Sequence, residues 1–373
     1  MATEASSMAD HADPARPQPA GPDHTAVGRP RAEHAAMLRA LELARLGLGT
    51  TSPNPIVGAV VLDSTGAPVG EGWHVRAGGP HAEVVALTAA GPRAAGGTVV
   101  VTLEPCDHTG RTGPCTQALI QAGIHRVCYA VADPLHGGGH ATLRAAGLEV
   151  AVGLFAEEAA RENEAWLHAV RTGRPFLTWK YAATLDGRSA AADGSSRWIT
   201  GEAARADVHR VRAESDAVLV GIGTVLADDP QLTVREPTGS RQPLRVVLDP
   251  AGRTPRAAKV RDEAAETLFL TAADVRRDTL GRLDLGEVLA LLHERETRSL
   301  LLEGGPTLAG AFLRAGLVDK VLGYLAPALL GAGSAALGDA GAGTIRDAFR
   351  LRITEVQPFP PDLRITAYPW GAA

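Results

Sequence analysis

Short apolar runs alternate with segments of helical spacing in the first half of the chain. The run Thr98-Val99-Val100-Val101-Thr102-Leu103 is short and rich in β-branched residues, which predicts a buried strand. Apolar residues from Met37 to Leu48 recur at helical spacing, and Gly47 and Gly49 mark the end of that helix. Further strands are predicted at residues 59–62, before Gly72-Trp73-His74, and at 126–131 and 149–152. This alternation indicates a mostly parallel sheet covered by helices, a layered α/β fold.

A second α/β pattern follows a predicted helix over about residues 157–171. That helix ends at Thr172-Gly173-Arg174-Pro175, where Gly and Pro are typical of a helix end and of a domain junction. Residues 1–30 lack periodicity and are rich in Ala, Pro, Asp and His, which predicts a disordered tail. We therefore expect domains at 31–174 and 175–373. Strands in the second half are predicted at 176–180, 217–220, 244–248, 267–270, 299–302 and 320–325.

Composition narrows the class of protein. At 373 residues, with 45% hydrophobic and 21% charged residues, the chain is typical of a globular protein of two domains. A net charge of −5 argues against a general nucleic-acid-binding surface, so local arginines must bind any anionic substrate. Three cysteines cannot build a disulfide framework, which favours a reducing cytoplasm. We expect no transmembrane helix and no secretory signal, because no long apolar run is present.

Candidate chemistry is concentrated between residues 81 and 115. His81, Cys106 and Cys115 are residue types that bind zinc, and three protein ligands leave a fourth zinc position for water. Glu83 follows His81 by two residues and has no metal to bind, so it is the expected general base. Nucleobase deaminases use this order, His-x-Glu and then Pro-Cys with a second Cys. The alternative, a surface histidine with two inert buried thiols, does not explain why all four residue types recur in that order.

Local patterns support this site. Helices are predicted to begin after Pro80 and at Pro114, so His81 and Cys115 should lie at helix N-termini, where the positive end of the helix favours a thiolate. Asn54, between two prolines, belongs either to a rigid turn or to a pocket where its amide reads a pyrimidine edge. His74 is either a packed surface residue or a substrate contact.

Two glycine-rich turns are candidate phosphate sites in the second half. One runs from Val220-Gly221 to Asp229-Pro230, and the other is Glu303-Gly304-Gly305-Pro306-Thr307 after a predicted strand. Glycines between a strand and a helix let backbone N–H groups approach a phosphate. Each turn is also compatible with a purely structural role, and neither has the dinucleotide-binding fingerprint spacing.

The chain resembles the bifunctional riboflavin-biosynthesis deaminase/reductase family over about residues 35–370. The resemblance rests on motifs in both halves, and the eight-residue gap between the two cysteines favours this branch of the deaminases. These motifs are Pro53-Asn54-Pro55-x-Val57-Gly58, Gly70-Glu71-Gly72-Trp73-His74, His81-Ala82-Glu83, Thr102-Leu103-Glu104-Pro105-Cys106, Gly110-Arg111-Thr112, Pro114-Cys115, Thr184-Leu185-Asp186-Gly187-Arg188, Ser196-Arg197-Trp198-Ile199-Thr200, Gly223-Thr224, Ala227-Asp228-Asp229-Pro230, Leu232-Thr233-Val234-Arg235 and Glu303-Gly304-Gly305-Pro306-Thr307-Leu308.

The resemblance implies a cytidine-deaminase-like α/β/α domain followed by a dihydrofolate-reductase-like α/β domain. The first would use one Zn²⁺ to hydrolyse the 2-amino group of 2,5-diamino-6-(5-phosphoribosylamino)pyrimidin-4-one, and the second would use NADPH to reduce the ribosyl chain to ribityl. A small phosphorylated pyrimidine is the expected partner, with no nucleic acid and no membrane, and a homo-oligomer (dimer or tetramer) is expected. On matching positions, the resemblance assigns the cofactor to Ala182, Trp198, Thr224, Asp228, Gly305, Pro306, Thr307, Leu308, Ala309, Gly310 and Ala311, and the substrate to Ser196, Arg212, Leu232, Arg235 and Glu303.

One departure from the family lies after Asp133-Pro134. The family has Asn-Pro and a Val-x-Gly-x-Gly turn there, whereas this chain has a segment about three residues shorter, Leu135-His136-Gly137-Gly138-Gly139-His140. Competing hypotheses are that only one half is active, the other being a nucleotide-binding or oligomerisation module, and that the second half positions the first on RNA. The acidic balance and the lack of a basic, aromatic-interleaved stretch argue against RNA.

Overall fold

A computed structural model of the chain describes residues 31–109, 113–235 and 241–371. The predicted tail and Gly110-Arg111-Thr112 lie outside the described residues. The first half contains a five-stranded sheet with the order β2-β1-β3-β4-β5. Its strands are β1 (Gly58–Leu62), β2 (Pro68–Trp73), β3 (Thr98–Leu103), β4 (Arg126–Val131) and β5 (Glu149–Val152).

The expectation of a mostly parallel first sheet is only half right. Strands β3, β4 and β5 are parallel, but β1 is antiparallel to both β2 and β3. The five residues between β1 and β2 are too few for a crossover, so these strands can pair only as a hairpin. The sheet is therefore mixed.

Helices cover both faces of this sheet, as expected for a layered fold. Val99 and Val101 of β3 pack with Ala86 on one face, and Val100 packs with Met37 on the other. Because neighbouring side chains enter two different cores, β3 is buried along nearly its whole length, which explains its continuous apolar pattern. The helices are α1 (Arg31–Arg45), α2 (Ala82–Ala90), α3 (Cys115–Gln121), α4 (Gly139–Ala145), α5 (Ala156–Glu162) and α6 (Glu164–Thr172).

The prediction of a single helix over residues 157–171 is wrong. The structure contains two helices, α5 and α6, which are separated by Asn163. Its side chain accepts a hydrogen bond from the backbone N–H of Ile56 (2.9 Å) and donates one to the Ile56 carbonyl (2.8 Å). These long-range bonds hold Asn163 at φ −102° and ψ 19°, outside the helical region. The predicted helix stop is confirmed, since α6 ends at Thr172 with Gly173 at φ 71°.

The second half contains an eight-stranded sheet with the order β12-β13-β11-β6-β10-β7-β8-β9, in which all neighbours from β11 to β9 are parallel. The six predicted strands are confirmed, whereas the antiparallel hairpin of β12 and β13 was not predicted. The strands are β6 (Phe176–Thr184), β7 (Ala217–Gly221), β8 (Leu244–Leu248), β9 (Thr267–Leu270), β10 (Ser299–Leu302), β11 (Lys320–Ala326), β12 (Leu351–Phe359) and β13 (Asp362–Pro369), with helices α7 (Glu202–Glu214), α8 (Ile222–Asp228), α9 (Leu285–Glu294) and α10 (Pro306–Arg314).

Polar contacts join the two halves at α6. Glu164 accepts hydrogen bonds from Lys320 Nζ and Tyr368 Oη, both at 2.7 Å. Arg174, just after α6, donates two hydrogen bonds of 2.7 Å to the Asp319 carboxylate. None of the helices in the described ranges is both long and apolar enough to cross a membrane.

Candidate active sites

Three predicted zinc ligands meet in the first half. The Nδ1 atom of His81 lies 3.2 Å from Cys115 Sγ and 3.5 Å from Cys106 Sγ, and all three ligand atoms lie within 4.8 Å of one another. A tetrahedral zinc with bonds of about 2.0 to 2.3 Å holds its ligand atoms about 3.5 Å apart. The three residues therefore fit one zinc ion with a fourth position left for another ligand.

Secondary structure positions these ligands. His81 is the N-cap residue of α2, and Cys115 is the first residue of α3. Cys106 follows the carboxyl end of β3, so a strand and two helix N-termini converge on one point. The positive ends of α2 and α3 favour negative charge on the sulfur atoms.

The two sulfur atoms form a coupled pair. A hydrogen bond with Cys115, followed by one with His81, lowers the pKa of Cys106 to about 4 despite burial. The same interaction with Cys106, together with burial, raises the pKa of Cys115. Zinc binds cysteine as thiolate, so Zn²⁺ would displace any proton that these two sulfur atoms share.

Glu83 lies in the first turn of α2, where its carboxyl group is buried beside the three ligands. Only 3% of the residue is exposed. Burial is the main cause that raises the pKa of Glu83, and the neighbouring His81 partly opposes it. A carboxyl group with a raised pKa can both take up and release a proton near neutral pH.

Asn54 and His74 form a hydrogen-bonded pair on the wall of the same cavity. The Nδ1 atom of His74 is 3.0 Å from the Pro80 carbonyl, which can only accept, so Nδ1 carries the proton. Burial lowers the pKa of His74, and the neutral ring can therefore accept from the Asn54 amide nitrogen at 3.1 Å through Nε2. This bond orients the amide of Asn54 and leaves its Oδ1 atom for another donor.

The segment that departs from the family also borders this cavity. The buried carboxylate of Glu104 accepts hydrogen bonds from the backbone N–H groups of Asp133, Gly138 and His140, at 2.9 to 3.2 Å. His136 stacks on His108, with ring centroids 3.9 Å apart. Sequence reasoning did not give Glu104 this structural role, because its partners are backbone atoms about 30 residues away.

The cavity above the metal ligands has a volume of about 390 Å³, within the range for small-molecule sites. Most of its wall comes from the first half, including Asn54, His74 and Glu83. Glu296 and Arg298, just before β10, also line it. The second half of the chain thus completes the first cavity, which local sequence patterns did not predict.

A larger cavity of about 1070 Å³ lies in the second half, at the carboxyl ends of β6, β7 and β10. The two predicted glycine turns meet there, since the backbone N–H of Gly305 donates to Thr224 Oγ1 at 3.1 Å. A Cβ atom added at Gly223 would meet nothing within 4 Å, so the backbone is open to the cavity. The N-terminus of α10 at Pro306 also borders this space, and the cavity fits an anionic dinucleotide with a small substrate.

Buried charges stand at the floor of this second cavity. Arg212 donates to both carboxylate oxygens of Glu303, at 2.5 and 3.0 Å, and Lys180 Nζ lies 3.6 Å from the same carboxylate. Although burial opposes it, the charges of Arg212 and then Lys180 lower the pKa of Glu303 to about 2. Burial lowers the pKa of Lys180, although the charge of the neighbouring Glu303 opposes this shift.

The structure brings many, though not all, of the predicted second-half residues to the cavity wall. Some of the predicted residues do not line the cavity. Trp198 is 67% exposed, and Leu232 and Arg212 lie behind the cavity wall. Arg235 is exposed and contacts the ring of His209, with Nη2 3.1 Å from Nε2. Ala309 and Gly310 face the protein interior. The residues on the wall are Ala182, Ser196, Thr224, Asp228, Glu303, Gly305, Pro306, Thr307, Leu308 and Ala311.

Two family models match the chain. The model described as "Cytidine and deoxycytidylate deaminase zinc-binding region" matches residues 30–131, and the model described as "RibD C-terminal domain" matches residues 175–365. The first match contains the three candidate metal ligands, and the second contains the larger cavity.

Similar proteins extend over nearly the whole chain. The riboflavin biosynthesis protein RibD of Mycobacterium tuberculosis is 51% identical, covering 89% of this chain and 96% of that protein, and that of Escherichia coli is 43% identical, covering 88% and 96%. The structure of Acinetobacter baumannii RibD matches with a TM-score of 0.83 and 41% identity, over 91% of this chain and 99% of that one. A Thermotoga maritima structure titled as a diaminohydroxyphosphoribosylaminopyrimidine deaminase/5-amino-6-(5-phosphoribosylamino)uracil reductase has the same TM-score and coverage, with 36% identity.

Proposed function

Because this chain belongs to the RibD family of riboflavin-biosynthesis enzymes, we propose that its two cavities catalyse successive steps on one phosphorylated pyrimidine. The first step is hydrolysis of the 2-amino group of 2,5-diamino-6-(5-phosphoribosylamino)pyrimidin-4-one. The second is reduction of the ribosyl side chain to ribityl with NADPH. The observation that carries the proposal is the cluster of His81, Cys106 and Cys115 around the buried Glu83, joined in one chain to a RibD reductase domain.

In the deaminase half, His81, Cys106 and Cys115 would hold Zn²⁺, which supplies an activated water when bound. Glu83 takes a proton at its carboxylate and delivers it to the departing amino group, a role supported by its burial and raised pKa. Asn54 binds the pyrimidine edge through its amide. Its bond to the neutral ring of His74 fixes which amide atom faces the substrate.

In the reductase half, NADPH supplies a hydride when bound. The turns at Gly223-Thr224 and at Gly305 to Ala311 contact the cofactor in this proposal, and the positive N-terminus of α10 at Pro306 favours its phosphates. Ala182, Trp198 and Asp228 contact the rest of the cofactor. Ser196 and Glu303 contact the substrate from the cavity wall in this proposal, and Arg212 positions the Glu303 carboxylate from behind that wall. Leu232 and Arg235 do not line the cavity, and the family resemblance alone assigns them to the substrate. Lys180 delivers a proton to the ribosyl chain, which its lowered pKa and its position on the cavity wall support.

The test is to incubate the purified, zinc-loaded protein with the diaminopyrimidine substrate, with and without NADPH, and to identify products by mass. Without NADPH we expect the amino group to be replaced by oxygen. With NADPH we expect two further hydrogens in the side chain. A product that stops at deamination in both reactions would support the hypothesis that only the first half is active, and an unchanged substrate would contradict the proposal.

We also propose that the enzyme works in the cytoplasm as a homo-oligomer, a dimer or a tetramer. Three free cysteines, all buried, support a reducing compartment. The edge strand β12 exposes Ile353 (58%) and Val356 (55%), and an exposed apolar edge strand favours pairing with a second copy. Light scattering that gives the mass of one chain at micromolar concentration would contradict the oligomer.

A further inference from the structure

We propose that Arg298, from the reductase half, binds the phosphate of the pyrimidine in the deaminase cavity. The inference rests on the proposed function and extends it, because it makes the second half part of the first active site. Among the described residues that line this cavity, Arg298 is the one arginine, and none is a lysine.

Charge is the first argument for this role. The described wall of the deaminase cavity carries four carboxyl groups, and a substrate phosphate adds further negative charge. Glu104 and Asp133 are occupied by backbone N–H groups, but their charges still repel an anion. A phosphate held in this cavity therefore needs a cation, and Arg298 supplies it. The four carboxyl groups are those of Glu83, Glu104, Asp133 and Glu296.

The hydrogen bonds of Arg298 are the second argument. Its backbone is held on both sides, because its N–H donates to Asp216 Oδ2 at 2.9 Å and its carbonyl accepts from the Phe176 N–H at 2.9 Å. Its guanidinium has one contact, from Nη1 to the His293 carbonyl at 3.2 Å, while its Nε atom is buried without a hydrogen-bond partner in the described part of the chain. A fixed backbone thus presents a guanidinium whose terminal Nη groups still have unused N–H donors, and a phosphate can accept hydrogen bonds from them.

The position of β10 separates this role from the reductase site. Arg298 precedes the first residue of β10, and Glu303 follows its last residue, so the two cavities lie at opposite ends of one strand. At about 3.3 Å per residue, the two residues are roughly 16 Å apart. A change at Arg298 should therefore leave the reductase cavity intact.

The experiment measures deamination kinetics of the zinc-loaded full chain with the phosphorylated pyrimidine and with its dephosphorylated riboside. We expect Arg298→Ala to raise KM for the phosphorylated substrate about ten- to a hundredfold, with kcat nearly unchanged. KM for the riboside should not change, and Arg298→Lys should restore binding in part, because lysine keeps the charge without the planar fork. Arg298→Gln keeps a donor for the His293 carbonyl without the charge, and should behave like Arg298→Ala.

The matched control is Arg295→Ala, since Arg295 is an exposed arginine of the same turn that does not line the cavity. It should leave both KM values unchanged, and reduction should be unchanged in every variant. An equal rise in KM for both substrates would overturn the inference and indicate a packing role. Unchanged KM in Arg298→Ala and Arg298→Gln would overturn it as well. A wild-type chain that does not deaminate would instead contradict the proposed function, a result seen before any variant is made.

Discussion

Glu83 combines two properties that a general acid/base needs, a carboxyl group beside the metal ligands and a raised pKa. Its position in the first turn of α2 follows from the His81-Ala82-Glu83 spacing, whereas its burial follows from the packing of α2 on β2. The sequence alone gives Glu83 and its spacing from His81, whereas the burial and the raised pKa of its carboxyl group depend on the tertiary fold.

We expect Glu83→Gln to keep zinc bound and to lower the rate of deamination by a factor on the order of 10² to 10⁴, the usual contribution of a positioned general acid/base. Glutamine preserves the size of the side chain but cannot transfer the proton. Zinc content by metal analysis and kcat for both reactions are the measurements, with the reductase as internal control. Near-normal deamination by the zinc-loaded variant would show that another group transfers the proton.

The lowered pKa of Glu303 predicts that the free energy of unfolding depends on pH. Its pKa is about 2 in the folded chain, against about 4.3 for an unperturbed glutamate. On acidification, the unfolded chain therefore takes up a proton at this residue at a higher pH than the folded chain does. The resulting stabilisation is present above about pH 4.5 and is lost as pH falls towards 2. It amounts to on the order of 2 to 3 kcal/mol.

Chemical unfolding of wild type and Glu303→Gln across that pH range checks this expectation. The variant should be less stable at neutral pH, because Arg212 loses its partner, but should lose less stability on acidification. Glu294→Gln, at an exposed glutamate of the same half, is the control and should keep the wild-type slope. Equal slopes in all three proteins would contradict the assigned shift.

At the scale of elements, the contact between β2 and α2 is close because β2 contains glycines. A Cβ atom at Gly72 would lie 2.5 Å from the Ala86 nitrogen and 2.6 Å from the Ala82 carbonyl oxygen. Both are backbone atoms of α2, which cannot move without moving the helix. The helix carries Glu83 and begins next to His81, so this packing sets the geometry of the metal site.

We therefore expect Gly72→Ala to destabilise the chain by about 1 to 3 kcal/mol, the usual cost of overpacking, and to weaken zinc binding. Gly223→Ala is the matched control, because a Cβ there meets nothing within 4 Å. It should leave zinc affinity unchanged. Denaturant unfolding and zinc competition with a chelator measure both effects, and wild-type affinity in Gly72→Ala would show that α2 can shift without disturbing the ligands.

At the scale of the whole molecule, α6 connects the two halves while belonging to the first core. Trp166 and Leu167 pack with Leu103 of β3, whereas Glu164 makes polar contacts to the second half. Partly exposed ion pairs contribute only about 0 to 1 kcal/mol each, so the first core does not depend on them.

A fragment of residues 31–174 is therefore expected to fold alone, to bind about one zinc ion and to bind no NADPH. It lacks Arg298, so its KM for the phosphorylated pyrimidine should exceed that of the full chain. Circular dichroism, metal analysis and cofactor titration are the measurements. If the fragment is insoluble while the full chain is stable, the boundary or the independence of the first core is wrong.

The sequence by itself determined the features that depend on neighbouring residues. The order His81, Glu83, Cys106, Cys115 predicted a zinc deaminase site, and the structure brings the three predicted ligands together. The β-branched run at β3 predicted a buried strand, which is confirmed, because local spacing sets both patterns. Motifs in both halves identified the family for the same reason.

Only the tertiary structure decided the features that depend on distant partners. The hairpin of β12 and β13 escaped prediction because most of β12 is exposed, so it lacks the apolar alternation of a half-buried strand. The helix break at Asn163 depends on Ile56, 107 residues away. Arg298 reaches the deaminase cavity because the two halves pack together at α6 and β10, and spacing along the chain carries no record of such contacts.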